Sequence, residues 1–164
     1  MTREAVVVDT NVLVVAEDPR HEAGPACVAA CVEELTRTLR ERRLLLDWTW
    51  LILGEYRKQM EQRGQGGLGT EFFRRAAAQT EIQVHQVHIT PHSGREFSEF
   101  PPDPELVTFD RSDRKFVAVA IASGEDPAIL HATDRGWKRH REALARHDLR
   151  ITPICDPEGR PTAV

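Results

Sequence analysis

Two apolar runs open the chain, and a polar island divides them: residues 5–8 are AVVV, then come Asp9, Thr10 and Asn11, and VLVVA resumes at 12–16. The first run, through residue 9, predicts a short buried strand. From Pro25 a helix is predicted, because Val28, Val32, Leu35 and Leu39 keep three–four spacing up to the charged end RERR, and proline suits a first helical turn. LLLD (44–47) predicts a second buried strand, and WTWLILGEYRKQM (48–60) a second helix. A glycine-rich loop, RGQGGLGT (63–70), precedes a short helix, EFFRRAAAQ. IQVHQVHI (82–89) alternates as a strand does, whereas 91–106, with prolines at 101, 102 and 104, predicts mostly loop. The chain closes on a helix over 112–123, a strand over 128–133, a helix near 136–146 and a strand over 150–154.

Strands that alternate with helices imply a parallel sheet covered on both faces. The expected fold is therefore α/β: a three-layer α/β/α sandwich around a central, twisted parallel sheet. Residues 1–155 form one domain in this reading, and 156–164 a loose C-terminal tail. No internal repeat or low-complexity tract interrupts the pattern.

With 164 residues, 40% of them hydrophobic and 29% charged, the chain has ordinary globular composition, which excludes a disordered tail. A chain of this length buries roughly 70% of its unfolded surface. The net charge of −4 does not announce a nucleic-acid partner, so one would have to be met by a local patch. Three cysteines are too few for a disulfide framework and lack zinc-ligand spacing. Cys27 and Cys31, four apart on the helical pattern, are expected as small apolar core residues. No basic leader precedes the first apolar run, and no stretch approaches the ~20 apolar residues of a membrane span. A cytoplasmic protein without a membrane partner is expected.

Chemistry in an open parallel sheet gathers at the carboxyl ends of the strands. Asp9 ends the first strand and Asp134 directly follows AILHAT, so both face the same edge. Trp48, Leu51, Ile52, Glu55 and Gln59 follow helical spacing, which puts Glu55 on the face expected to pack inward. Asp113 heads a stripe of Phe116, Val117 and Ala120. A buried, unpaired carboxylate costs several kcal/mol unless it is neutralised, paired or bound to metal. No matching set of buried bases is evident, so the acids are expected to share a cation. Hard oxygen ligands without His or Cys point to Mg²⁺ or Mn²⁺ and to phosphoryl chemistry.

VVVDTNVL, the Glu55 of ILGEYRK, the Asp113 of SDRKFVAVAIAS and the Asp134 of HATDRGW together resemble the motifs of PIN-domain ribonucleases. The likeness runs over residues 5–154, in the family's order. It implies the PIN-like fold, with Asp9, Glu55, Asp113 and Asp134 as the acidic quartet that binds Mg²⁺ or Mn²⁺ and carries catalysis. Thr10, Asn11 and Thr133 stand where supporting polar residues are expected, and Asp110, three residues before Asp113, is a further supporting candidate. The implied activity is hydrolysis of RNA phosphodiester bonds by water, leaving a 5′-phosphate and a 3′-hydroxyl. Implied partners are the RNA substrate, an antitoxin-like protein if the chain is the toxin of a toxin–antitoxin pair, and a second copy of the chain. The segments at 63–70 and 91–106 lengthen the chain beyond the compact toxin members, which weakens the toxin reading.

Plainer roles compete for several of these residues. Asp9, Asp47 and Asp134 can each cap the backbone that follows, and for Asp47, which directly precedes a helix, the cap is the better reading. Glu55 can pair with Arg57 or Lys58 on an exposed face, and Asp113 suits a first helical turn. His85 and His88 point to opposite faces of a strand, so they do not form a metal box with His92. Of the bases that flank the acids, Arg114, Arg135 and Lys138 are the candidates for a substrate-binding rim. The rival functions are a related metal-dependent deoxyribonuclease and a catalytically idle PIN-like module that binds RNA or protein. A haloacid-dehalogenase-type phosphatase fits less well, because a second Asp two residues after Asp9 is missing.

Overall fold

The computed structural model describes residues 2–162. Its elements run β1 (Glu4–Val8), α1 (Thr10–Glu17), α2 (Pro25–Glu41), β2 (Arg42–Asp47), α3 (Leu51–Arg63), α4 (Leu68–Ala78) and β3 (Gln83–Val87). A two-residue hairpin follows, β4 (Pro91–His92) with β5 (Glu96–Phe97), then α5 (Arg114–Ser123), β6 (Ala128–His131), α6 (Arg135–Arg139), α7 (Arg141–Ala145) and β7 (Arg150–Pro153). Five of the strands form one parallel sheet in the order β3-β2-β1-β6-β7. Val6, Val7 and Val8 are at most 1% exposed, as expected of a central strand covered on both faces. α1–α4 pack against one another, and with this strand order the right-handed rule for parallel crossovers assigns them to one face and α5–α7 to the other. The expected three-layer α/β/α sandwich is the fold of this chain.

The chain steps outward from β1 to β2 and β3, then returns to lay β6 on the other side of β1. The direction of winding therefore reverses between β1 and β6. In such sheets the crevice at that reversal, outside the carboxyl ends of the two strands, is the place where ligands bind.

Three local features depart from the sequence reading or go beyond it. The apolar run after Asn11, to which no element was assigned, is a helix, α1, with Val12–Glu17 all buried. It packs against α2, α3 and α4, and a helix apolar all round belongs in such an interior. Its last residue, Glu17, explains the glycine-rich loop. The Glu17 carboxylate accepts hydrogen bonds from the N–H groups of Gln65 (2.5 Å), Gly67 (3.2 Å) and Thr70 (2.8 Å), and from the Thr70 hydroxyl (2.6 Å). Burial opposes its charge, but these four bonds outweigh burial and hold the carboxyl below its usual range. A Cβ at Gly69 would lie 2.4 Å from the Leu13 carbonyl oxygen, so the approach of α4 to α1 requires glycine there.

The second concerns the cysteines: Cys27 and Cys155 form a disulfide across 128 residues, while Cys31 is a free buried thiol. The third is the tail. Residues 156–162 are not loose: Pro161 bridges Cys155 in antiparallel fashion, and the Thr162 N–H donates to the Ile154 carbonyl at 2.9 Å. The Asp156 carboxylate fixes the intervening turn through the N–H groups of Glu158 and Arg160. The ordered unit thus runs past 155, and residues 163 and 164 lie outside the described residues. A disulfide closing so long a loop is worth about 2–4 kcal/mol. Cys155→Ala is therefore expected to lower the melting temperature by about 5–10 °C relative to the oxidised protein, and an equal melting point in calorimetry would disprove it. Among the described residues no helix is long and apolar enough to cross a membrane.

Candidate active site

Asp9 leaves β1 at the winding reversal, where its backbone N–H donates to the Leu130 carbonyl of β6 at 2.9 Å. It occupies the N-cap position of α1, yet its side chain makes no capping hydrogen bond. The residue is 3% exposed, and its Oδ2 is buried without a partner among the described residues. A plain capping role therefore does not account for it. Burial, then the charges of Asp113, Asp134 and Glu55, push its carboxyl well above the usual range.

The other three acids reach the same place from separate elements. Asp113 ends the 3₁₀ turn Arg111–Asp113 that leads into α5 and is buried. Its carboxyl is pushed up to about 7 by burial first, then by Asp134, Asp110 and Glu55, with Lys115 opposing. Glu55 is half-buried on α3; the Thr10 hydroxyl donates to its Oε2, and Lys115 Nζ donates to its Oε1 at 2.9 Å. Asp134, half-buried after β6, caps α6 by accepting from the Gly136 N–H at 2.7 Å. Capping and membership of the cluster are both true of Asp134, because the bond uses only Oδ1.

Asp9, Glu55, Asp113 and Asp134 line one open cleft of about 400 Å³, together with Thr10, Asn11 and Thr133. His21, Glu22, Gln59 and Arg63 complete the polar wall. No three of the carboxylates bring oxygens within 4.8 Å of one another; among the described residues only the sulfurs of Cys27, Cys31 and Cys155 do so. The acids surround the cleft without closing on a common point. The donor set is nonetheless what a hard divalent cation requires, with carboxylate and hydroxyl oxygens and a buried Asp9 oxygen left unpaired.

Several expectations change at this level of detail. Lys115 is a buried base, 8% exposed, and its ion pair with Glu55 enters the acid cluster; one base therefore offsets part of the charge, although no set matches the four acids. Arg114 does not belong to a substrate rim. It is 4% exposed, and its guanidinium donates to the carbonyls of Phe109 and Val107 and lies 4.7 Å from the Phe100 ring centroid. It fastens the proline-rich segment to α5. Arg135 and Lys138 are exposed on α6, and Lys138 borders a smaller pocket that shares Thr133 and Asp134 with the cleft. Asp110 does not line the cleft: its carboxylate accepts from the Ser112 N–H and hydroxyl, both at 2.8 Å, and shapes the turn that delivers Asp113.

Asp47 caps α3, accepting from the Leu51 and Ile52 N–H groups at 2.9 Å each. His85 and His88 are exposed, with His85 paired to Glu125. Arg63, His21 and Glu22 are cleft residues that the sequence reading missed; a signal existed for Arg63, since Glu55, Gln59 and Arg63 recur every four residues.

Compared with family models, curated proteins and solved structures, the chain matches none.

Proposed function

We propose that this chain is a divalent-metal-dependent endoribonuclease of PIN-like type that hydrolyses RNA phosphodiester bonds. The observation that carries the proposal is the meeting, in one cleft at the winding reversal, of the four acids singled out in the sequence, with Asp9 Oδ2 buried and unpaired. Asp9, Asp113 and Asp134 would hold Mg²⁺ or Mn²⁺, with Glu55 completing the set. Bound there, the cation supplies Lewis-acid chemistry: it activates water and offsets the charge that builds on phosphorus and on the leaving oxygen.

The chain's own residues supply position and charge. Thr10 and Lys115 fix both oxygens of Glu55, so its carboxylate enters the cleft in one orientation. Asp110, through Ser112, and Asp134, through Gly136, stiffen the turns that carry Asp113 and Asp134. Arg63, at the end of the α3 stripe, is the base in the cleft wall to which a substrate phosphate can be drawn.

A second reading, the catalytically idle module, draws on one observation: Lys115 Nζ already occupies an oxygen of Glu55. Titration with Mn²⁺ separates the two. The nuclease reading expects saturable binding that Asp9→Asn abolishes, together with metal-dependent cutting of single-stranded RNA; an idle module gives neither. The rim is tested apart from the metal site. Arg135→Ala with Lys138→Ala is expected to weaken RNA binding and to flatten its salt dependence, by about one unit of log–log slope for each phosphate no longer neutralised. An unchanged slope over a salt series would remove both residues from the substrate path.

A further inference from the structure

The turn between β2 and α3 carries the sequence WTWL, and three of the five large hydrophobic side chains exposed on the described residues are on it: Trp48 (58%), Trp50 (40%) and Leu51 (43%). The sequence stripe that includes Trp48 and Leu51 is expected to face inward. Instead, the buried face of α3 is Ile52, Leu53, Tyr56 and Met60. Two indole rings are left in water.

The turn is held in place. Asp47 is fully buried, and its carboxylate binds the Thr49 hydroxyl at 2.7 Å and the Leu51 and Ile52 N–H groups at 2.9 Å each. The Trp48 N–H donates to the Val87 carbonyl at 2.9 Å. Trp50 sits at φ +62°, the left-handed region that a bulky side chain rarely adopts. Such a conformation persists only where the surroundings enforce it, and it is concentrated at ligand-binding sites.

The strand directions place the turn relative to the cleft. β1, β2 and β6 are parallel, so the turn after β2 is on the same sheet edge as Asp9 and Asp134. Leu51 lies one helical turn, about 6 Å, before Glu55, on the stripe that continues through Gln59 and Arg63 in the cleft wall. The apolar patch stops at the turn, because the next exposed residues of α3 are Gly54, Arg57 and Lys58. A patch so small falls short of the roughly 800 Å² per partner of a stable protein interface. Rigid aromatic rings beside exposed bases are instead what unpaired nucleobases and their phosphates require.

We propose that Trp48 and Trp50 form a stacking platform for unpaired nucleobases of the strand whose phosphate enters the acidic cleft. The inference rests on the nuclease reading and adds to it how the substrate is gripped. Every base has a face that stacks, so the platform selects unpaired strands over duplex without selecting a sequence.

Tryptophan fluorescence tests this directly, because Trp137 is fully buried and serves as an internal reference. A twelve-nucleotide oligouridylate and an abasic oligomer of equal length and charge are titrated into the protein, in EDTA and in Ca²⁺. Oligouridylate is expected to quench the exposed indoles, and the abasic strand is not. Trp48→Ala is expected to weaken oligouridylate binding about tenfold, with Trp48→Phe restoring most of it. Trp50→Gly, which suits the left-handed backbone, is expected to weaken binding similarly.

Equal affinity for both oligomers, or wild-type affinity in Trp48→Ala and Trp50→Gly, overturns the platform. So does a dimer dissolved by Trp48→Ala without any base-dependent quenching, since the occupant is then a second copy of the chain. Cleavage in Mn²⁺ is measured separately. Cutting with base-blind binding removes the platform and leaves the nuclease; base-dependent quenching in a protein that cuts nothing keeps the platform and removes the nuclease.

Discussion

Asp9→Asn is expected to reduce metal-dependent RNA cleavage by at least about a hundredfold while leaving the fold intact. The substitution keeps the side-chain volume and removes one negative charge from a residue whose Oδ2 has no partner among the described residues. No native hydrogen bond of that oxygen is lost, so a folding defect is not the cause of lost activity. Removing the charge also relieves the repulsion from Asp113, Asp134 and Glu55. In EDTA the variant should melt no lower than wild type, which separates a catalytic effect from a structural one. Wild-type cleavage rates by the variant in Mn²⁺ would show that Asp9 is only an acid at a strand end.

That Asp9 and Asp134 share a cleft was legible because the rule for parallel sheets needs only strand direction and order of elements. Asp113 was legible for a similar reason: its stripe of Phe116, Val117 and Ala120 is buried as the spacing implied. Glu55 reached the right place from a stripe that was misphased. Its companions Trp48 and Leu51 are exposed, because the turn capped by Asp47 delays the helix to Leu51. A helix face is read from spacing, but its phase depends on where the cap lets the helix start.

What the sequence hid were side chains whose partners are remote in the chain. Lys115 is an ordinary base in a helix until α3 brings Glu55 to its Nζ. Arg114, next to it, is drawn instead to the carbonyls of Val107 and Phe109, and only the path of the proline-rich segment decides between the two fates. Cys27 and Cys155 are 128 residues apart, and no local pattern marks such a pair. The helix after Asn11 was missed because an apolar run of five residues suits a buried strand as well as a buried helix.

The electrostatics of the cleft give the second large expected effect, on stability. Asp113 titrates near 7 in the folded protein, against an ordinary carboxyl value near 4 in the unfolded chain, and Asp9 is also raised. Below pH ~4 both states hold these protons, and pH has no leverage on stability through them. Between pH ~4 and ~7 the unfolded chain has released its protons while the folded protein keeps them. Raising pH through that window therefore destabilises the metal-free protein, and the raised Asp9 carboxyl adds to the loss. A divalent cation that binds only the folded cleft reverses the trend, because it takes the ionised carboxylates and its affinity grows with pH. At a hundredfold excess over its dissociation constant it stabilises by about 2.7 kcal/mol, or about 5–10 °C in melting temperature for a chain of this size. Melting curves of wild type and Asp113→Asn, at pH 5 and pH 8, each with EDTA and with Mn²⁺, make the test. Wild type in EDTA should melt lower at pH 8 than at pH 5 and recover with Mn²⁺. The variant should lose less between the two pH values and gain little from the cation. If Mn²⁺ raises the variant's melting point as much as that of wild type, the carboxylates of Asp9, Glu55, Asp113 and Asp134 line one cleft without forming one site.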